Sequence, residues 1–352
     1  MTTFNPLDPR HTDDPYPRLA ELLGQCPVSR PFPGAKVIVR DADARQVLRD
    51  ASTFSSRANN TGVTYGEDQL ALSQLDDPYH GQLRAKVQSA FTPRAVAPLE
   101  PVLREHAVKL VSSFGADTDL VRDFTEPFPA MALASFLGIE HSLVRQWVGQ
   151  FATLVGYHAA PGWPEFRGTV DGMIAENRFP QFTGLSPIEI RTLVYFLVVA
   201  GVRNVTWFLG NLIHRLLADG LWPLDSSEVA IEESLRHEPP ALWSMRTATR
   251  RCEVGGVQIE AGERVFVVAA AANRDPARWP EPDSFRLDRS SGRGHLAFGF
   301  GPHGCLGAAL TRLQARVALD VLPDLELVPG FTYRRTGDLI SRGPASLPVR
   351  MR

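Results

Sequence analysis

The sequence predicts a mainly helical chain with small β-sheets. Helical periodicity recurs through most of the middle of the chain, while strand-like runs are few and short. A long helix between residues 187 and 218, nearly apolar on all sides from Leu193 to Ala200, reads as a buried central element. The 352 residues are 44% hydrophobic and 22% charged, enough for a large core. We expect a single domain over 1–352.

Residues 1–30 are proline-rich and read as a lead-in along the surface. The stretch 35–40 alternates weakly and is expected as a strand, 41–50 as a short helix and 59–66 as a loop. Helices are expected near 78–92, 95–114, 128–137 and 140–155. The stretch 156–186 is rich in Gly, Pro and aromatics and weakly patterned. Ser186-Pro-Ile-Glu189 is a capping box with proline at the first helical position. The long helix therefore starts there and runs to about Ala218, before Asp219-Gly220. It would measure about 45 Å. A helix over 227–237 follows. Short strands are expected near 247–268, with turn signals at Gly255-Gly256 and Ala261-Gly262. A helix over 305–320 and short strands in the tail complete the reading.

The net charge of −2, from 37 basic and 39 acidic residues, offers no basic excess for nucleic acid. Cys26, Cys252 and Cys305 have neither disulfide-framework nor zinc-site spacing, which fits a reducing cytoplasm. The N-terminus has no apolar stretch, so neither a signal peptide nor a membrane anchor is expected. No apolar run reaches the roughly 18 residues that span a bilayer.

Residues 298–307 read Phe-Gly-Phe-Gly-Pro-His-Gly-Cys-Leu-Gly. Gly299, Gly301 and Gly304 leave almost no side-chain bulk around Cys305, which suits a backbone passing close to something flat and large. A helical pattern follows Cys305, so the cysteine is expected at a helix N-terminus, where the dipole and free N–H groups favour a thiolate. Such a thiolate can be an axial ligand to haem iron. The plainer alternative is a structural cysteine in a glycine-rich turn. With Phe298, Gly299, Gly301, His303, Cys305 and Gly307 in place, the string resembles the haem-thiolate signature of the cytochrome P450 family. The resemblance runs from His80 to the C-terminus. It implies the cytochrome P450 fold, in a soluble bacterial form, with haem b held through Cys305.

Other residues gain meaning from that resemblance. Glu233-Ser-Leu-Arg236 places an acid and a base three apart on one helix face, which alone would be a surface pair. It looks like the family's Glu-x-x-Arg, which locks to a downstream arginine. Arg289 is the expected third member and Arg286 the second choice. The implied role is a buried charge network holding the cysteine loop. His80, Arg84, Arg246 and His303 sit where the family binds the two haem propionates, and imidazole and guanidinium suit carboxylates. Asn273-Arg-Asp-Pro276 reads as turn chemistry.

The long helix departs from the family. Where the family has Ala-Gly-x-(Asp/Glu)-Thr-Thr, this chain has Ala200-Gly-Val-Arg-Asn-Val205. Ala200 and Gly201 keep room for oxygen. The acid position holds Arg203 and the first alcohol position Asn204. The family's acid and alcohol deliver protons for O–O cleavage, and an arginine cannot donate usefully. Three readings compete: Thr206 supplies the alcohol in a shifted register, water or substrate groups replace the relay, or the oxidant is peroxide. In the last, Arg203 binds a substrate carboxylate. The plain alternative is that Arg203 pairs with a protein acid or faces solvent.

The resemblance also implies paired lid helices, and 156–186 is short for them, so a thin or absent lid over an open pocket is expected. Tyr157, Trp163, Phe166 and Phe179 are candidate caps, with core packing the commoner role. Val63, Ala200, Arg203, Asn204, Trp243, Ser244 and Ile340 are candidate pocket residues. Arg312, Arg316, Lys86 and Arg94 could form a basic face for an acidic ferredoxin. The expected function is oxidation of a small organic or natural-product-type substrate, free or bound to a carrier or peptide, by hydroxylation or oxidative coupling. O2 and ferredoxin electrons would drive it. A peroxide-driven peroxygenase is one alternative. A non-oxygenating haem-thiolate isomerase, dehydratase or sensor is the other.

Overall fold

Two apolar stretches, 37–39 and 265–268, are fully buried on both faces, so they sit at the centre of a sheet. In the computed structural model the strands Ala35–Ile38 and Arg264–Val267 pair in parallel, Ala35 beside Arg264 and Ile38 beside Val267. Ser244–Ala248 and Phe54–Ser55 extend the sheet on one side and Val28–Ser29 on the other. The period-2 alternation sends side chains to two cores. Ile38, Val265 and Val267 face a cluster with Ala44, Val47 and Leu48 of the helix Asp41–Arg49. Val37, Phe266 and Val268 face one with Leu19 and Leu22 of Tyr16–Gln25. The structure describes residues 4–11, 14–25, 28–57, 71–151, 162–224, 226–289, 294–338 and 340–352. The expected loop at 59–66, Val63, Tyr157 and Cys26 lie outside them.

This sheet belongs to the first of two compact units, built from 1–57, 210–305 and 332–345. The second comprises 58–209, 306–331 and 346–352. Its core runs along Pro187–Gly201, against which His141–Gln150 and Trp163–Ala175 pack. Phe166 is the hub, with the rings of Trp147, Phe151, Trp163 and Tyr195 at 4.8, 5.4, 5.3 and 5.8 Å. Phe166 and Phe179 are thus core residues. In the same unit Glu100–Val111 lies along Ala308–Val321, and Arg316 clamps Glu100 through two hydrogen bonds of 2.8 and 2.6 Å.

Four expectations change. The stretch 156–186 contains a 13-residue helix, Trp163–Ala175, whose signal Gly168 and Gly172 dilute. The long helix is not continuous. It stops at Gly201 and resumes at Arg203, with Val202 at φ −98°, ψ −64°. There the Asn204 side-chain amide donates to the Ala200 carbonyl at 3.0 Å, an insertion into the helical ladder of the kind that bends helices. Among the described residues, the run Pro187–Ala218 is long and apolar enough to cross a membrane, contrary to the sequence count, and 67% of its most apolar window is buried in the protein. Finally, the helix after the cysteine begins at Ala308 with Gly307 at its cap, so Cys305 precedes it. The capping box is present as expected: Glu189 N–H donates to Ser186 Oγ at 3.3 Å and Ser186 N–H to Glu189 Oε2 at 2.6 Å.

A polar cluster closes the first unit beneath its C-terminal hairpin. Buried Glu238 accepts from Arg335 and Arg342 at 3.1 and 3.2 Å. Despite burial, which pushes its carboxyl up, these arginines hold it below the usual range. The His214 ring packs tilted against Tyr333 with centroids 3.9 Å apart, and His237 Nε2 lies 2.9 Å from the Asp283 carbonyl. Burial, then Arg215, pushes His214 down to about 4, and burial, then Arg274, pushes His237 down to about 3. Unfolding restores the ordinary imidazole value of 6.5, so below it the unfolded chain takes up protons that the folded one refuses. The contribution of these two histidines is therefore fully present above pH 7 and is lost as pH drops from 6.5 toward 3. His237→Gln should remove up to one proton from that slope, read as a flatter plot of Tm against pH.

Candidate functional site

Glu233 lies in the helix Ser227–His237 with its side chain fully buried. A buried carboxylate needs its lone pairs filled. Oε2 accepts from Arg236 Nε at 2.8 Å. Oε1 accepts from Arg236 Nη2 at 2.7 Å, Arg289 Nε at 3.0 Å and the Arg286 backbone N–H at 2.9 Å. Arg286 thus joins through its backbone, while its side chain pairs with Glu281 and Asp288. Arg236 spends its remaining donors on the carbonyls of Asn273, Pro282 and Ser284, at 3.0, 2.8 and 3.0 Å. Arg289 takes those of Pro280, Glu281 and Ser284. The irregular segment from 280 to 289 is wrapped around two guanidiniums that satisfy its backbone.

The network reaches the cysteine through Asn273. This fully buried residue accepts the Leu296 N–H on Oδ1 at 2.6 Å. Gly299 N–H then donates to the Leu296 carbonyl at 2.9 Å, and Cys305 N–H to the Phe298 carbonyl at 2.7 Å. Asn273 is therefore more than turn chemistry, as its partner 23 residues on had no local signature. Gly299 and Gly301 have φ of +68° and +70°. A Cβ at Gly301 would come within 2.5 Å of the Leu48 carbonyl oxygen, so only glycine fits there. Gly301–His303 forms one helical turn against Asp41–Arg49, and the rim is braced by Arg45 and Arg49 over the Phe300 ring at 4.8 and 5.2 Å. The outcome is a cysteine that is exposed at the end of a rigid turn.

A cytochrome P450 family model matches residues 227–322, which include the Glu-x-x-Arg and cysteine segments. Cytochrome P450 130 of Mycobacterium tuberculosis is 30% identical over 392 residues, covering 96% of this chain and 95% of its own length. The chain belongs to the cytochrome P450 family. The erythromycin C-12 hydroxylase of Saccharopolyspora erythraea is 32% identical over 337 residues, covering 86% of this chain and 84% of that enzyme. Among solved structures, CalO2 matches with a TM-score of 0.89 at 28% identity, covering 100% of this chain and 99% of that one. The chain is thus an oxidoreductase with the P450 fold, mainly helical with small sheets, and its family binds haem b.

The donor set of this P450 fits that group. An exposed thiol stands on a turn stripped of side-chain bulk, and Arg246 and His303 in the same unit supply a guanidinium and an imidazole, donors suited to carboxylates. Arg246 is buried in the strand Ser244–Ala248, with Nη1 on the Met245 carbonyl at 2.8 Å. His80 and Arg84 share the helix Tyr79–Val87 of the second unit. His80 is buried, and burial lowers its imidazole despite Asp77 at 3.5 Å. Ala200, Gly201, Arg203 and Asn204 flank the helix break and are half-buried; Thr206 is buried, its N–H on the Val202 carbonyl at 2.9 Å. The Arg203 guanidinium lies 5.9 Å from the Trp207 ring centroid, and no carboxylate among the described residues lies within ion-pairing distance of it. Trp243 is buried against Phe266 at 5.0 Å, Ser244 is half-buried and Ile340 exposed. Of the expected basic face, Lys86 pairs with Glu189 at 3.5 Å and Arg316 with Glu100, while Arg94 is exposed.

Glu233→Ala should strand two guanidiniums and cost about 3–5 kcal/mol. Glu233→Gln, which keeps the shape and two acceptor sites, should cost less. Urea unfolding of each variant gives the comparison.

Proposed function

We propose that this P450 is a monooxygenase of a small organic or natural-product-type substrate, using O2 and electrons from a ferredoxin. The observation that carries the reading is the exposed Cys305 on its braced glycine turn, in a chain related to enzymes named as hydroxylases of erythromycin and of mycinamicin IV. Cys305 would hold the iron. Arg246 and Arg84 would neutralise the propionates, His303 and His80 would donate hydrogen bonds to them, and Phe298, Gly299 and Gly307 would leave the macrocycle its space. When bound, the haem supplies oxygen activation, which a thiolate ligand promotes.

The chain's own residues do the rest. Ala200 and Gly201 present little bulk at the helix break. Asn204 cannot act as an acid, because its amide is not a usable proton source near neutral pH. Its Nδ2 holds the Ala200 carbonyl, which leaves Oδ1 to orient a water or a substrate hydroxyl. Protons would then arrive through water or substrate groups, and Thr206, buried one turn below the break, would play no direct part. The helices His141–Gln150 and Trp163–Ala175, 10 and 13 residues long, leave a thin cover that suits a bulky or carrier-bound substrate. Arg94 and its basic neighbours would meet the acidic ferredoxin. Work in the bacterial cytoplasm, in secondary metabolism, follows from this reading.

One observation favours a second reading. Arg203 meets the charge of Glu126 only at a separation longer than an ion pair among the described residues, so a substrate carboxylate could complete it, as a peroxide-driven enzyme would require. A stopped-flow comparison of the Soret band separates the two. With ferrous protein and oxygen, and ferric protein and hydrogen peroxide, we expect a defined transient with oxygen and simple bleaching with peroxide. A transient that forms with peroxide ahead of bleaching, and is slowed about tenfold or more in Arg203→Ala, would replace the first reading by the second.

A further inference from the structure

The helix Ser227–His237 carries two adjacent buried acids, Glu232 and Glu233, 4% and 0% exposed. Successive helical side chains diverge by about 100°, so the two meet different segments. Glu233 is committed to the arginines. Glu232 Oε2 faces Nε2 of His295 at 3.4 Å, a separation longer than a closed hydrogen bond, with the side chains 5% and 2% exposed. On the other side of the ring, Nδ1 accepts the N–H of Ala297 at 3.2 Å. A nitrogen that accepts carries no proton, so the ring proton is assigned to Nε2, on the side of Glu232. The ring of Phe298 lies 5.8 Å from that of His295.

We propose that Glu232 and His295 are positioning residues for Cys305. Glu232 orients the imidazole. The imidazole fixes the backbone at Ala297, one residue before the carbonyl that accepts the Cys305 N–H. The Leu296 N–H is held by Asn273, which Arg236 contacts. Two consecutive N–H groups of the turn are thus pinned through neighbouring acids of one helix. Carboxylate–imidazole pairs behind a metal ligand set its orientation in other metalloproteins. Here the pair would act through the backbone, without touching the thiol.

The inference rests on Cys305 as the iron ligand, and the test separates the two. Wild-type holoprotein, His295→Leu, Glu232→Gln, Glu232→Leu and the core control Val254→Ala are reduced and bound to carbon monoxide. The Soret band is followed as it converts from its thiolate-type to its thiol-type position. We expect His295→Leu to convert about tenfold faster than wild type, Glu232→Leu in the same direction, and Glu232→Gln within about twofold because it keeps an acceptor. Val254→Ala, buried in the sheet core, should lower Tm and leave the conversion rate unchanged. Wild-type rates in both leucine variants overturn the proposal, as does Val254→Ala converting as fast as His295→Leu. If His295→Leu fails to load haem, Glu232→Leu decides alone. A wild-type protein with no thiolate-type band overturns the reading of Cys305 instead.

Discussion

The Glu233 carboxylate is the constraint on which the first unit depends. It accepts four hydrogen bonds, from Arg236 twice, Arg289 and the Arg286 backbone. A buried charge left short of partners is costly, and one fully partnered is a rigid node. The arginines it neutralises spend their other donors on loop carbonyls. Irregular backbone can be buried only when something other than a helix or sheet satisfies it. The described segment 280–289 has no such regular structure, so the guanidiniums serve in its place. Arg236 donates once to each of three separate carbonyls, which is a use of all five guanidinium donors.

That node explains how the cysteine turn is held in place. Loops gain freedom when their N–H and C=O groups face water. Here the Leu296, Ala297, Gly299 and Cys305 N–H groups are all satisfied inside the protein. The glycines do a different job. They allow the left-handed turns at 299 and 301 and the close approach to Leu48.

How much of this was legible depends on the range of the signal. The capping box at Ser186, the central strands and the Glu-x-x-Arg spacing are local patterns, and each stands where the sequence places it. The helix Trp163–Ala175 was hidden because Gly168 and Gly172 lower its propensity, while its stability comes from Phe166 packing on Tyr195. The helix after Cys305 starts three residues later than its sequence suggests, at Ala308, because Gly307 reads equally well as interior or cap. Asn273 and the Glu232–His295 pair depend on partners 23 and 63 positions away, which no window reveals. The resemblance to the P450 family located the cysteine site, and it was silent on these supports.

The break in the long helix follows from chemistry that an apolar run conceals. An asparagine in a helix interior can bond its own backbone, and Asn204 takes the Ala200 carbonyl. A threonine at that place could make the same contact with its hydroxyl and still offer a proton. Asparagine makes it with Nδ2 and offers only an acceptor. On the proposed reading, asparagine at this place would preserve the opening in the helix and remove the donor. Arg203 beside it cannot restore one, since a guanidinium stays protonated throughout. If oxygen chemistry proceeds here, its protons must come from a mobile source that Asn204 can position. That requirement ties the reaction to water or substrate entering next to the break, and it makes substrate fit, more than a fixed relay, the element that controls proton supply.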